Sequence, residues 1–270
     1  MSRIPAAILV AAWLGTSVSL AAEDTDRLFD ALRLDDVVDV MREEGIAAGD
    51  DLEADLFPGS GGLLWDEAVR DIYDRSEMLE AVRARFDDAV QAGSIPVLVE
   101  FFESETGQRL VELEIAARRA MIDEAVEAAT EESARDAPQA RRDLIDAFIA
   151  ANDLVEQNVT GALNSNYAFY RGLLDEEAPV GPLSEDQVIA DVYASEPQVR
   201  ADTEAWLDGY LTLAYAPVDD EALSRYLEIS ESRAGQDLNT AIFAAFDELY
   251  DGISYELGRA AARFMRGQDL

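Results

Sequence analysis

The sequence predicts an all-α protein, a helical bundle built from two tandem, related helical repeats. Apolar residues recur at three- and four-residue steps through most of the chain, and no stretch alternates apolar and polar residues between hairpin turns. The helical pattern is clear at Leu79, Val82, Phe86 and Val90, which fall on one helix face. Two parts of the chain also match each other in the same order, which predicts the repeats.

The first residues, 1–22, have the composition of a secretory signal peptide. Arg3 is followed by an apolar run over residues 6–20, and Ser19-Leu20-Ala21 forms a small-x-small cleavage site. The apolar run is roughly 15 residues long, short of the ~20 that a transmembrane helix needs. We therefore expect a cleaved signal peptide and a periplasmic protein without a membrane span.

The boundaries between helices are marked by Pro and Gly. Residues 58–62 are rich in both and predict a loop after the first helical region. The segment Gly93-Ser94-Ile95-Pro96 ends one helix and begins another, with Ser94 as a candidate N-cap and Pro96 in the first turn. Further loops are expected at 178–182 and at 216–220, where an Asp can cap the next helix.

Self-comparison divides the mature chain at Ala137-Pro138. The first repeat is expected over residues 23–136 and a second, degenerate repeat over residues 137–270. The separation between matching residues increases only where loops can accept insertions. The matches include Asp66, Asp71 and Tyr73 with Asp186, Asp191 and Tyr193, and Gly107, Gln108 and Leu110 with Gly235, Gln236 and Leu238.

The stretch from Phe101 to Leu110 predicts a helix–turn–helix corner. Phe101 and Phe102 precede a few polar residues, and Gly107 leads into a long amphipathic helix in which Leu110 begins a buried stripe. We expect Gly107 to adopt a positive φ at the turn, where other residues are strained. The counterpart in the second repeat is expected at Tyr226, Leu227, Gly235 and Leu238, with three extra residues before the glycine.

This corner resembles the signature of an uncharacterised exported bacterial family, domain of unknown function 2059. That family has paired aromatic residues, a short spacer containing Ser or Thr, a glycine, a basic residue and a leucine. The corresponding residues here are Phe101-Phe102, Ser104-Glu105-Thr106, Gly107, Arg109 and Leu110. The resemblance covers about residues 65–125 and implies a helical periplasmic domain with no assigned activity and no catalytic residues.

The charge of the chain limits its partners. The formal net charge is −36, from 57 acidic and 21 basic residues, so nucleic acid and anionic lipid are poor partners. Adjacent acids such as Asp87-Asp88 point about 100° apart on a helix, and no EF-hand spacing is present. We expect weak, diffuse binding of divalent cations, with no cofactor and no defined metal site.

Missing residue types exclude several chemistries. The chain has no Cys, His or Lys, which excludes disulfides, Ser-His-Asp catalysis, the usual zinc and haem sites, and lysine Schiff bases. Glu103-Ser104 resembles the Glu-Ser start of lytic transglycosylases, but the Gly-Leu-Met-Gln run of that family is absent.

The sequence therefore predicts a non-enzymatic interaction or envelope-associated protein, whose partner is an unknown envelope protein. Two alternatives stay open at this point. One is a carboxylate-dependent enzyme that acts on cell-wall glycan through Glu103. The other is a protein whose folding responds to divalent cations, as its acidic charge allows.

Overall fold

A computed structural model describes residues 15–179 and 184–267 of the chain. Within these residues the protein is all-helical and no strand is found, as the sequence predicts. The predicted signal peptide, residues 1–22, lies largely outside the described part, because no structure is described before Gly15 and no side chain before Glu23. None of the described helices combines the length and apolar content that a membrane span requires.

The helices follow one another with short connections, and the predicted loop at residues 58–62 separates the second helix from the third. The helices are α1 (Gly15–Ala31), α2 (Leu34–Leu56), α3 (Gly62–Ile72), α4 (Arg75–Ala89), α5 (Ile95–Phe102), α6 (Glu105–Ala120), α7 (Glu124–Asp136), α8 (Gln139–Ala151), α9 (Leu154–Asp175), α10 (Glu185–Tyr215), α11 (Asp220–Glu231) and α12 (Arg233–Met265).

Six helix starts are fixed by a side chain that accepts a hydrogen bond from a backbone N–H of the first turn. Residues in this role are Asp74, Ser104, Asp123, Ser184, Asp219 and Ser232. Ser94 holds the predicted N-cap position of α5 but makes no capping bond. Its hydroxyl instead donates to Asp237 on α12 at 2.6 Å, so it joins two distant parts of the chain.

The most extensive helix pairing joins α9 and α12, which run parallel. The contacts keep a nearly constant sequence separation, from Asn152, two residues before α9, with Asn239 to Ser165 with Asp251. The two backbones touch at Gly172 and Gly258: a Cβ on Gly258 would lie 2.0 Å from the Phe169 carbonyl oxygen, and one on Gly172 would lie 2.2 Å from that of Tyr255. Only glycine permits this approach.

The last helix completes the hydrophobic core of the first half. Near the end of α12, Phe264 stacks on Phe57 with ring centroids 5.6 Å apart and meets Trp65 edge-on at 5.4 Å. Residues of α1 to α6 and of α12 form one continuous buried cluster as a result. A second buried cluster surrounds Leu110, Phe148 and Tyr215. The two halves of the chain therefore share a core.

Candidate binding cavity

The corner between α5 and α6 forms where the sequence predicts it. Ser104 ends the short connection: its Oγ accepts from the Gly107 N–H at 3.1 Å and donates to the Phe101 carbonyl at 2.6 Å. The expected positive φ at Gly107 is wrong, because this residue lies in the first turn of α6 and is not among those with positive φ. Glycine is needed for its size, since a Cβ would lie 2.2 Å from the Phe101 oxygen.

The predicted motif residues divide between the core and the surface. Phe102 and Leu110 are buried, Phe101 is half-buried, and Arg109 lies at the surface in an ion pair with Glu112 at 2.9 Å. Phe101 and Phe102 both contact Tyr226, at centroid distances of 5.6 and 6.0 Å. The aromatic pair and its proposed counterpart thus meet in space.

A second corner with the same hydrogen bonds joins α11 to α12. Ser232 Oγ accepts from the Gly235 N–H at 3.1 Å and donates to the Ile229 carbonyl at 2.6 Å. A Cβ on Gly235 would lie 2.1 Å from that carbonyl oxygen and 2.8 Å from the Ser230 Cα. The residues in the geometric positions of Phe101 and Phe102 are therefore Ile229 and Ser230. The predicted counterparts Tyr226 and Leu227 are wrong by three residues, and no insertion precedes the glycine.

A cavity of about 560 Å³ lies between the two corners. Its wall is built by residues of α2, α5, α6, α8, α9, α10, α11 and α12, and most of these are aliphatic or aromatic. Four predicted motif residues contribute to the wall: Phe102, Tyr226, Gly235 and Leu238. The half-buried Leu227 and the surface Arg109 are not part of it. A volume of this size, with an apolar wall and few polar groups, is typical of small-molecule sites.

The main polar group of the wall is the Glu114 carboxyl group on α6. Its Oε1 accepts from the Tyr215 hydroxyl at 2.7 Å, and the Tyr210 hydroxyl donates to the Glu114 backbone carbonyl at 3.3 Å. Burial raises the pKa of Glu114 to about 7, while interactions with Tyr215 and Tyr226 oppose the rise. The carboxyl therefore titrates near neutral pH, because charging it in an apolar site is unfavourable.

One turn further along α6, Arg118 also faces the cavity. Its guanidinium group forms a bidentate pair with Glu44 on α2, at 2.8 Å from Nε to Oε1 and 2.9 Å from Nη2 to Oε2. Nη2 also lies 3.4 Å from the Tyr250 hydroxyl. The positive charge of Arg118 is thus matched by Glu44, and no ion pair joins Arg118 to Glu114 among the described residues.

Sequence reasoning missed Glu114, Arg118 and their tyrosine partners. The sequence does contain a pattern that points to these two residues. Glu114 and Arg118 follow Leu110 at successive four-residue steps, so they lie on the buried face of α6. The buried Val111 and Ile115 lie on the same face. Charged residues on the buried face of an amphipathic helix are uncommon unless they are paired or functional. The tyrosines come from distant helices, and no local pattern places them beside Glu114.

The catalytic alternative rested on Glu103, which lies outside the cavity. This residue ends α5 at the surface, where its carboxylate accepts from Arg27 Nη2 at 2.8 Å. Its side chain is 46% exposed, so it lacks the burial that a general acid on glycan requires. Across the described residues, no three acidic side chains converge as a metal site would require.

Residues 76–136 match the model of a family described as an uncharacterised protein conserved in bacteria, DUF2059. The matched segment runs from α4 to the end of α7, so it begins and ends later than the predicted 65–125. No curated protein and no solved structure gives a significant match to the chain. Over residues 76–136, the chain is similar to the uncharacterised bacterial family that its corner motif predicted.

Proposed function

We propose that the protein is an exported, non-enzymatic binding protein of the cell envelope that holds an apolar small molecule in its central cavity. The observation that carries this proposal is the cavity itself, about 560 Å³ in volume and walled mainly by aliphatic and aromatic side chains. Cavities of this kind bury most of the surface of a small ligand. The composition of residues 1–22 supports export.

Two tandem, related helical repeats would explain why the cavity has a similar corner at each side. Three features at equivalent positions support this origin. Arg33 and Asp153, each just before a long helix, have φ values of 51° and 50°. Ser104 and Ser232 cap the helices that follow the corners with the same pair of hydrogen bonds. The side-chain amides of Gln108 and Gln236 donate to the last residues of α1 and α8, at 2.7 and 2.6 Å.

The polar groups of the cavity favour binding over catalysis. Glu114 is held by tyrosine hydroxyls, and the guanidinium of Arg118 is already paired with Glu44. The exposure of Glu103 at the surface supports binding over the catalytic alternative that depends on this residue.

A fluorescence titration tests the proposal, because Trp65 and Trp206 are the only tryptophans after residue 22. Trp65 is buried in the core, whereas Trp206 lines the cavity. In a Trp65→Phe background, the neutral apolar probe N-phenyl-1-naphthylamine should quench Trp206 saturably and become fluorescent itself. Probe binding should be lost in Ala162→Phe, which fills the cavity, and kept in Thr160→Phe, whose side chain is exposed on the same helix.

The opposite pattern would contradict the proposal. Probe binding of equal strength in Ala162→Phe and Thr160→Phe would place the probe outside the cavity. An absence of saturable binding to the wild-type chain would remove the proposed function itself. Circular dichroism of each variant shows whether its helices are intact.

A further inference from the structure

The charge of the cavity wall indicates which ligands it accepts. Three charged side chains line it: Glu114 and Asp247 are acidic, and Arg118 is basic. The one basic group is neutralised by its bidentate pair with Glu44, at 2.8 and 2.9 Å. Neither acid forms an ion pair among the described residues. The space enclosed by the wall therefore has an excess of negative charge.

Glu114 is the acid in the most apolar surroundings. The titratable groups that face it are Tyr210 and Tyr215 from α10, Tyr226 from α11 and Arg118 on its own helix, and they leave its charge unbalanced. A buried carboxylate without a counter-charge is strongly unfavourable, and a bound cation would supply that charge.

Aromatic rings complete the same site. Trp206 and Tyr210 stack with centroids 4.8 Å apart, and Phe148 meets Tyr226 at 4.8 Å and Tyr215 at 5.7 Å. All of these rings line the cavity. The faces of aromatic rings attract cations, and ligands with ammonium groups are commonly bound by such rings together with an acid.

We infer that the cavity accepts an organic cation with an apolar body, whose ammonium group pairs with Glu114 while its hydrocarbon part packs against the aliphatic and aromatic wall. This inference rests on the proposed binding function. An anionic amphiphile such as a fatty acid would find its counter-charge at Arg118 already taken by Glu44 and would face two acids. A neutral ligand would fill the volume but leave Glu114 without a counter-charge.

Three ligands with the same ten-carbon chain separate these cases: decyltrimethylammonium, decanol and decanoate. Each is used below its micelle concentration to displace N-phenyl-1-naphthylamine from the full mature chain at pH 8. We expect the cation to bind at least about tenfold more tightly than decanol, and decanoate to bind most weakly, as charge complementarity predicts. Affinity for the cation should fall at pH 5.5, where Glu114 is protonated, while affinity for decanol stays the same.

Variants of α6 locate the effect. Glu114→Gln should lower the affinity for the cation about tenfold more than it changes the affinity for the probe or for decanol. Glu112→Gln, at an exposed position on the same helix, is the matched control and should change neither. Equal or tighter binding of decanoate, or unchanged cation affinity in Glu114→Gln, would overturn the inference while probe binding upholds the proposed function. If neither the probe nor any of the three ligands binds, both proposals fail. The comparison of ligands on the wild-type chain needs no variant to fold.

Discussion

The half-buried Glu114 carboxyl in the cavity wall makes the stability of the protein depend on pH in a way that one substitution removes. Its pKa is raised from 4.5 to about 7, chiefly by burial. Between these two values the folded chain keeps a proton that the unfolded chain has lost. The folded state therefore binds more protons than the unfolded state, and its stability falls as the pH rises from 4.5 to 7.

The size of this effect follows from the two pKa values. Each pH unit between them costs the folded state about 1.4 kcal/mol, or roughly 3 kcal/mol in total above pH 7. Glu114→Gln has no charge to bury, and its amide oxygen can still accept from Tyr215. We expect the variant to be more stable than the wild type by roughly 2–3 kcal/mol at pH 8 and to have similar stability at pH 4.5.

Urea unfolding followed by far-ultraviolet circular dichroism at the two pH values measures this difference. Other carboxyl groups whose pKa burial raises, among them Asp208 and Asp251, are present in both chains and cancel in the comparison. Glu112→Gln, at an exposed site, should change the free energy of unfolding by less than about 0.5 kcal/mol at either pH. If Glu114→Gln shifts stability equally at pH 4.5 and pH 8, Glu114 is not the buried acid that we describe.

Three further predictions concern other parts of the fold. Gly258→Ala should destabilise the protein by about 2–3 kcal/mol, because its side chain would enter the backbone contact of α9 with α12. Gly252→Ala, on the same helix but with open space around it, should stabilise the protein by up to about 1 kcal/mol. If thermal unfolding showed the same change in melting temperature for both variants, the contact at Gly258 would not be tight. Hydrogen bonds from the arginines of α12, Arg263 first, lower the pKa of Glu176 to about 2, so its contribution to stability is complete above pH 4.5 and lost as the pH falls through 2. Glu176→Gln should therefore unfold more easily than the wild type at pH 7 and approach it at pH 2, and a constant difference across that range would contradict the assignment. Ser104→Ala should cost about 1 kcal/mol by removing the cap of α6, measured by urea unfolding, and a neutral effect would show that the cap contributes nothing.

The all-helical fold could be predicted from the sequence because its cause is local. Apolar spacing, Pro and Gly at the loops, and Ser or Asp before many of the helices act within a few residues of one another. The corner at Phe101 and Phe102 could be located for the same reason. The role of its glycine could not be predicted, because the close approach of the Phe101 carbonyl decides whether Gly107 is needed for its φ or for its size.

The cavity could not be predicted, because helices far apart in the chain build it. Tyr215 and Arg118 reach it from α10 and α6, and the distance between these helices depends on long-range packing that no local sequence pattern displays. The pairing of the two corners failed for a related reason. Phe101 and Phe102 match Tyr226 and Leu227 by chemical similarity, but the glycine contacts show that Ile229 and Ser230 occupy their positions.

The central claim is that the cavity holds a small molecule in the cell, and native mass spectrometry tests it most directly. The protein would be released gently from the envelope of cells that express it at its natural level, with Ala162→Phe as the filled-cavity control and Thr160→Phe as the exposed control. We predict that the wild type and Thr160→Phe retain an added mass that dissociates on activation as a cation with an apolar body, and that Ala162→Phe has the mass of the bare chain. A bare mass for all three chains, or the same added mass on Ala162→Phe, would contradict the claim.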